Sequence, residues 1–293
     1  MKTILVTGGA GFIGSHTVDA LLRAGHKVIV YDEFTTGDYS NLLEAREFSN
    51  FTLEEGNICN KERLMQVFIE HEPESVIHLA AMTHVGECER APEACFQNNV
   101  VGTFTVTRLC AMFHANLVFA SSAAVYLSPS SMPIDEHGTL TNKGQYGNSK
   151  ILGEMIVRSA GLTTAIFRFF NVFGPRATGG VIKSFLYAKE GVCDYLLCGD
   201  GKQTRDFIFV GDIVKMLVKA AVNEKSGLYN LCTGKGTTVR QVLDMIDPEA
   251  QPRYMPPVPC EIRHSIGDPS KAKRDLKFKP QVQLKDWIDS LMG

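Results

Sequence analysis

The sequence predicts an α/β fold in which a doubly wound parallel sheet is followed by a smaller C-terminal lobe. Three observations carry this. Short β-branched apolar runs alternate with longer amphipathic stretches over residues 1–170. A glycine-rich turn directly follows the first run. Past Gly174-Pro175 the texture changes: Gly179, Gly180, Gly191, Gly199 and Gly201 punctuate shorter elements, and Pro256, Pro257, Pro259, Pro269 and Pro280 crowd the end. The apolar runs at 3–6, 27–31, 75–79, 117–120 and 163–169 read as strands buried on both faces. Helices are expected at 11–24, 61–71, 91–114 and 146–160, with 284–291 as an amphipathic terminal helix. In the first of these, Ile13, Thr17, Ala20, Leu21 and Ala24 form one stripe at helical spacing. Alternating strands and helices imply right-handed crossovers and a parallel sheet. The domain reading is 1–170 for the main domain and 171–293 for the smaller lobe, with 206–232 returning to the main domain.

Composition narrows the class. Hydrophobic residues make up 44% of the 293, enough for a sizeable core. A net charge of −2 with 21% charged residues leaves no basic surface for nucleic acid. No apolar run approaches the ~20 residues of a membrane span. The start, MKTILVTGGAGFIG, is too short in apolar residues for a secretory leader. The eight cysteines show no CxxC and no zinc spacing with histidine. They read as free thiols in a reducing cytoplasm, with no metal site, no nucleic-acid partner and no membrane partner.

The turn Thr7-Gly8-Gly9-Ala10-Gly11-Phe12-Ile13-Gly14 lies between the first strand and the first helix. Glycines at 8, 11 and 14 let the chain turn tightly and approach a pyrophosphate closely, at a helix N-terminus that favours anions. Asp32 ends the second strand, where a carboxylate accepts both hydroxyls of an adenosine ribose. It repels a 2′-phosphate and no Arg follows nearby, so NAD is expected rather than NADP. This is a Rossmann-type dinucleotide site in its proper context.

Tyr146 and Lys150 are four apart on a predicted helix and share one face. A nearby ammonium favours the phenolate of a tyrosine whose ordinary pKa is ~10. Ser122, at the end of the 117–120 strand, offers a hydroxyl to the same centre.

These pieces resemble the extended short-chain dehydrogenase/reductase family, in its nucleotide-sugar epimerase/dehydratase branch. The matching segments run through the chain: TGGAGFIG (7–14), HLAA (78–81), NNVVGT (98–103), SSAAVY (121–126), YGNSK (146–150), FRFFNVFGPR (167–176) and GDGKQTRDFIFVGD (199–212). The resemblance implies that Phe12, Ile13, Asn57, Ile58, Leu79, Ala80, Ala81, Asn98 and Phe170 line NAD. It also implies that Asp32, Glu33, Thr35, Thr36 and Gly37 wrap the ribose. Asn57 stands where an Asp is usual for the adenine contact; its amide oxygen still accepts. Ser122, Tyr146 and Lys150 take the catalytic roles, with Ser122 and Tyr146 also touching the sugar and Tyr146 and Lys150 the cofactor, Lys150 at the nicotinamide ribose. Asn171, Val181 and Arg205 face the sugar nucleotide, Arg205 at its diphosphate. An Arg common in the family is replaced by Val258, so either a diphosphate contact is lost or Arg263, Lys183 or Arg176 replaces it, with Glu261 left for the ribose. Ser265 occupies a size gate beside the sugar's C2 substituent, or is only a surface hydroxyl. Dehydratases carry an Asp-Glu pair after the strand-end Ser/Thr, and decarboxylases a Glu at the second position. Here both residues are alanine, Ala123 and Ala124, which neither donate nor abstract a proton. The remaining chemistry is reversible oxidation at one carbinol: C4 epimerisation of a nucleotide sugar through a 4-keto sugar. UDP-glucose and UDP-galactose are the expected pair, with their N-acetylated forms if the gate is open. The alternatives are a keto-sugar nucleotide reductase and a non-catalytic NAD-sensing relative. The family's usual homodimer joins two copies through a four-helix bundle.

Overall fold

The computed structural model describes residues 1–126, 132–140, 144–257 and 262–292. Along the first part of the chain run β1 (Thr3–Thr7), α1 (Phe12–Arg23), β2 (Lys27–Asp32), β3 (Phe51–Glu55), α2 (Lys61–His71) and β4 (Ser75–His78). Then come α3 (Val85–Arg90), α4 (Pro92–Phe96), α5 (Thr103–Met112), β5 (Asn116–Ser122), α6 (Gln145–Ser159) and β6 (Thr164–Phe169). The second part holds β7 (Asn171–Phe173), α7 (Val181–Lys189), β8 (Leu196–Cys198), β9 (Thr204–Arg205), β10 (Phe207–Phe209) and α8 (Val210–Asn223). It continues with β11 (Gly227–Leu231), β12 (Thr237–Thr238), α9 (Val239–Ile246), β13 (Arg253–Met255), β14 (His264–Ser265), α10 (Ser270–Leu276) and α11 (Leu284–Met292). Among the described residues no helix is long and apolar enough to cross a membrane.

Seven strands form the main sheet in the order β11-β6-β5-β4-β1-β2-β3. β1 pairs in parallel with both β2 and β4, so the strand order reverses there. That switch opens a crevice at the carboxyl ends of β1 and β4, the place where open α/β sheets take ligands. The sheet is buried on both faces: Ile4, Leu5, Val6, Val28, Ile29, Val30, Val76 and Ile77 are all fully buried. One face packs against α2 and α5 through Leu64, Val67, Phe68, Val106 and Leu109. The helix expected over 91–114 is one unbroken helical run, α4 and α5 joined through a widened π-type segment at Gln97–Gly102, the kind of bulge frequent at functional positions.

The chain divides into two units. One holds Met1–Val125, Leu140–Arg168 and Val214–Tyr229; the other holds Tyr126–Thr139, Phe169–Ile213 and Asn230–Gly293. The segment Tyr126–Thr139 therefore groups with the later residues, for a visible reason. The backbone carbonyl of Ile134 accepts from Asn230 Nδ2 at 2.9 Å, Glu136 accepts from the Asn230 N–H at 2.7 Å, and Ile134 bridges Gly267. The second unit has its own core of Phe173, Phe185, Leu197, Leu243, Ile246 and Ile288. Trp287 of α11 lies against Phe173, ring centroids 5.3 Å apart.

His78 ends β4 fully buried. Its Nδ1 meets Thr7 Oγ1 at 2.7 Å and its Nε2 meets Thr103 Oγ1 at 3.1 Å, so it ties β1, β4 and α5 together. Burial, reinforced by Lys150, pulls its pKa down to about 3. An unfolded histidine takes a proton near 6.5, so unfolding binds a proton between those values and stability falls as pH drops below 6.5. Calorimetry of the wild type and His78→Gln from pH 7 to pH 4 should show a steeper loss in the wild type, by up to about 1.4 kcal/mol per pH unit.

Candidate active site

At the end of β1, Gly8 takes a φ of +70°, and a Cβ there would sit 2.6 Å from the Ala80 nitrogen. A Cβ on Gly14 would lie 2.0 Å from the Gly8 carbonyl oxygen. Only glycine lets the loop fold this closely onto the start of α1 and the residues after β4. Gly11 caps α1 without a side-chain hydrogen bond, which leaves first-turn N–H groups available to an anion. Phe12 and Ile13 open that helix half-buried, and Leu79, Ala80 and Ala81 follow β4 half-buried beside it.

Asp32 is held at both oxygens: Oδ2 accepts from the Ala10 N–H and Oδ1 from the Phe34 N–H, each at 2.9 Å. Burial pushes its carboxyl above the usual range, opposed by those two N–H groups. Phe34, with a φ of +58°, stacks on Tyr39 at 3.7 Å and shapes the turn that carries the exposed Thr35 and Thr36 to Gly37. Glu33 accepts from Asn57 Nδ2 at 2.5 Å and from Asn98 Nδ2 at 3.5 Å. Asn57 Oδ1, the acceptor expected to meet an adenine amino group, already takes the Cys59 N–H at 2.7 Å and has one lone pair left. Ile58 is buried in the core cluster beneath the sheet. Asn98 Oδ1 is buried and has no hydrogen-bond partner among the described residues. A glycine cradle that a Cβ would fill, together with this orphaned acceptor, fits a dinucleotide. Phe170 belongs to the second unit, buried against Tyr126 at 6.4 Å between centroids.

The predicted catalytic residues converge. Ser122 at the end of β5 lies beside the phenol of Tyr146 in the first turn of α6 and acts to lower its pKa. Ser122 Oγ accepts from the Ala124 N–H at 3.1 Å, which leaves its own hydroxyl proton to donate. The N-terminus of α6 is capped from α3, where Glu89 accepts from the Gln145 N–H at 2.6 Å. Lys150 is buried one turn along, donates to the Ala120 carbonyl at 3.0 Å, and lies 5.9 Å from the Tyr146 ring centroid. Burial drives both groups toward neutrality: the phenol is pushed up to about 12, against the lowering influence of Ser122, and the ammonium falls to about 8. In this protein alone Tyr146 is therefore a phenol at neutral pH.

Sequence reasoning passed over several neighbours of this centre. Cys88 and Cys95 face it from α3 and α4. Ser121, Glu154 and Arg168 form a buried network beside it. Glu154 was findable, since it stands four residues after Lys150 on the same helical face.

The remaining predicted residues lie in the second unit. Asn171 and Val181 line a pocket of about 250 Å³ with Arg176, Lys183, Phe207 and Trp287. Ser265 is 7% exposed and pairs with Arg205 across β14 and β9, so it is no surface hydroxyl. Arg205 donates to the carbonyls of Thr204 and Ile262 at 2.9 and 2.7 Å. Neither nearby aspartate takes it as a partner: Asp200 pairs with Arg263 at 2.6 Å, and Asp206 is buried under the Thr233 and Gly234 N–H groups. Val258 and Glu261 lie outside the described residues.

The sheet order, the glycine turn and Asp32 define a Rossmann-type dinucleotide-binding protein. More particularly, the chain belongs to the NAD dependent epimerase/dehydratase family, whose profile matches residues 4–232. UDP-glucose 4-epimerase of Bacillus subtilis is 31% identical over 97% of this chain and 94% of its own length. UDP-glucose 4-epimerase of Thermotoga maritima, solved with UDP-glucose, superposes with a TM-score of 0.90 at 31% identity, covering 98% of this chain and 96% of its own. UDP-N-acetylglucosamine 4-epimerase of Methanobrevibacter ruminantium, solved with UDP-N-acetylmuramic acid, gives a TM-score of 0.91 at 30% identity with the same coverage.

Gly14→Ala places a methyl group against the Gly8 carbonyl. Isothermal titration should show NAD affinity falling by about a hundredfold or more, while the sheet's circular dichroism is kept.

Proposed function

We propose that this chain is an NAD-dependent 4-epimerase of UDP-sugars, acting on UDP-glucose and UDP-galactose and on their N-acetylated forms. The observation that carries the reading is the placing of Ser122 beside the Tyr146 phenol, next to Ala123 and Ala124. The centre has one hydroxyl acid–base pair and no second carboxyl group at the positions where dehydration or decarboxylation would need one.

NAD, held by the glycine turn and Asp32, supplies the hydride acceptor and donor at C4, so the cycle has no net redox change. Tyr146 as phenolate removes the C4 hydroxyl proton and later returns it. Its ionisation needs more positive charge than Lys150 alone provides, because burial outweighs the influence of Ser122 in the protein by itself. The positive ring of the cofactor is the natural source. Ser122 donates to the phenolate and to the sugar oxygen in turn. We assign Asn171, Val181, Arg205, Glu261 and Ser265 to the sugar nucleotide, with Arg205 on the diphosphate, where a guanidinium binds in bidentate fashion. The small side chain of Ser265 favours acceptance of an N-acetyl group. The likeness to UDP-N-acetylglucosamine 4-epimerase supports that choice.

The same reading pairs two copies through α5 and α6. Phe104 and Met112 on α5, and Leu152 and Met155 on α6, are 39 to 62% exposed. Such an apolar surface suits a self-complementary interface. The seven unpaired cysteines among the described residues suit a reducing cytoplasm.

NMR time courses with UDP-glucose and UDP-N-acetylglucosamine, without added reductant, test the reaction. Each should move toward its galacto epimer. Tyr146→Phe should keep NAD and lose turnover by about a hundredfold or more; near-normal turnover by that variant would remove Tyr146 as the base. By light scattering, the wild type should be a dimer and Met155→Glu a monomer.

A further inference from the structure

Beside the catalytic centre lies a buried ion pair that the reaction as described does not use. Arg168 of β6 donates to both oxygens of Glu154 in α6, Nε to Oε1 at 2.8 Å and Nη2 to Oε2 at 2.6 Å. Ser121 of β5 donates to the same Oε1 at 2.5 Å. Arg168, Glu154 and Ser121 are 0%, 2% and 2% exposed. A buried pair of this kind is weak evidence of stabilisation, since apolar groups of equal volume often serve as well or better. Its direction is more informative. Glu154 is one turn from Lys150 and two turns from Tyr146 on one face of α6, and Ser121 is the residue before Ser122. Three elements thus meet at one carboxylate, two of which carry the catalytic groups.

We infer that Glu154, clamped by Arg168 and joined through Ser121 to the end of β5, is the positioning residue that holds Ser122 against the Tyr146 oxygen. This rests on the reading of Tyr146 as the acid–base group. The other titratable groups facing the centre are His78 of β4, Cys88 of α3, Cys95 of α4 and Lys150. Burial holds His78 neutral and pushes Cys88 up to about 12, so neither supplies charge near neutral pH. Besides the position of Ser122, Glu154 joins Cys95 and Cys88 in raising the Lys150 pKa against burial. Both effects favour the phenolate: the first keeps its hydrogen-bond donor in place, the second keeps its neighbouring cation.

The test uses NAD-loaded protein containing ring-labelled tyrosine, with the Tyr146 NMR signal identified by its loss in Tyr146→Phe. Ser121→Ala should raise the pH at which Tyr146 ionises by about half a unit or more. It should also lower kcat at neutral pH by about three- to tenfold. KM and NAD affinity should stay within about twofold of wild type. Ser121→Thr, which keeps the hydroxyl, should restore both quantities. The double variant Glu154→Leu/Arg168→Met should fold and shift Tyr146 in the same direction. Wild-type ionisation and kcat in Ser121→Ala would overturn the inference, as would a folded double variant that titrates like the wild type. If the double variant does not fold, Ser121→Ala and Ser121→Thr decide. If the wild type turns over neither sugar, the epimerase reading fails, and the titration alone still decides whether this network governs Tyr146.

Discussion

A buried ammonium organises the catalytic side of this fold. Lys150 is 5% exposed, and its Nζ donates to the Ala120 carbonyl at 3.0 Å with the Phe119 ring centroid at 5.3 Å. An unpaired cation in such surroundings is strongly unfavourable. If α6 rotated or slid, Lys150 would leave the carbonyl at the end of β5 and stay buried without it. The strand that ends in Ser122 and the helix that begins with Tyr146 are therefore held in one register. Burial that lowers the Lys150 pKa to about 8 is the cost of that placement, and Cys95, Cys88 and Glu154 offset part of it.

The cofactor side depends on close approach rather than charge. Gly8 and Gly14 bring the β1–α1 loop within contact of itself and of Ala80. Asp32 then closes the loop by accepting from Ala10 and Phe34. The carboxylate is committed twice to its own backbone before any ribose arrives, so its position is preset. The same economy is seen at Glu33, which gathers the amides of Asn57 and Asn98. Preset donors and acceptors of this kind lose little freedom on binding.

Much of this was legible in the chain. Central strands are buried on both faces, so β1, β2, β4 and β5 read as continuous apolar runs, and the glycine spacing and YxxxK pair carry their meaning locally. The edges of the sheet were not legible. β3, FTLEE, is half-exposed and ends in two glutamates, so no apolar run marks it. β11 joins the opposite edge from far along the chain. The π-type turn at Gln97–Gly102 is rich in weak helix formers, but its widened hydrogen bonding is visible only in its backbone. The grouping of Tyr126–Thr139 with the later unit follows from Asn230 binding Ile134 and Glu136, a pairing of residues some ninety positions apart in sequence.

By itself, then, the sequence determined the sheet's interior, the dinucleotide turn and the identity of the serine, tyrosine and lysine at the centre. Each of these is written in residues close together in the chain, where steric and periodic rules act locally. The tertiary structure decided what those residues experience. It set the desolvation that raises the Tyr146 pKa in the protein alone, the clamp of Arg168 on Glu154, and the tie from Ser121 to the catalytic strand. These depend on side chains brought together from β5, α6 and β6, and on the exclusion of water that comes only when the elements pack.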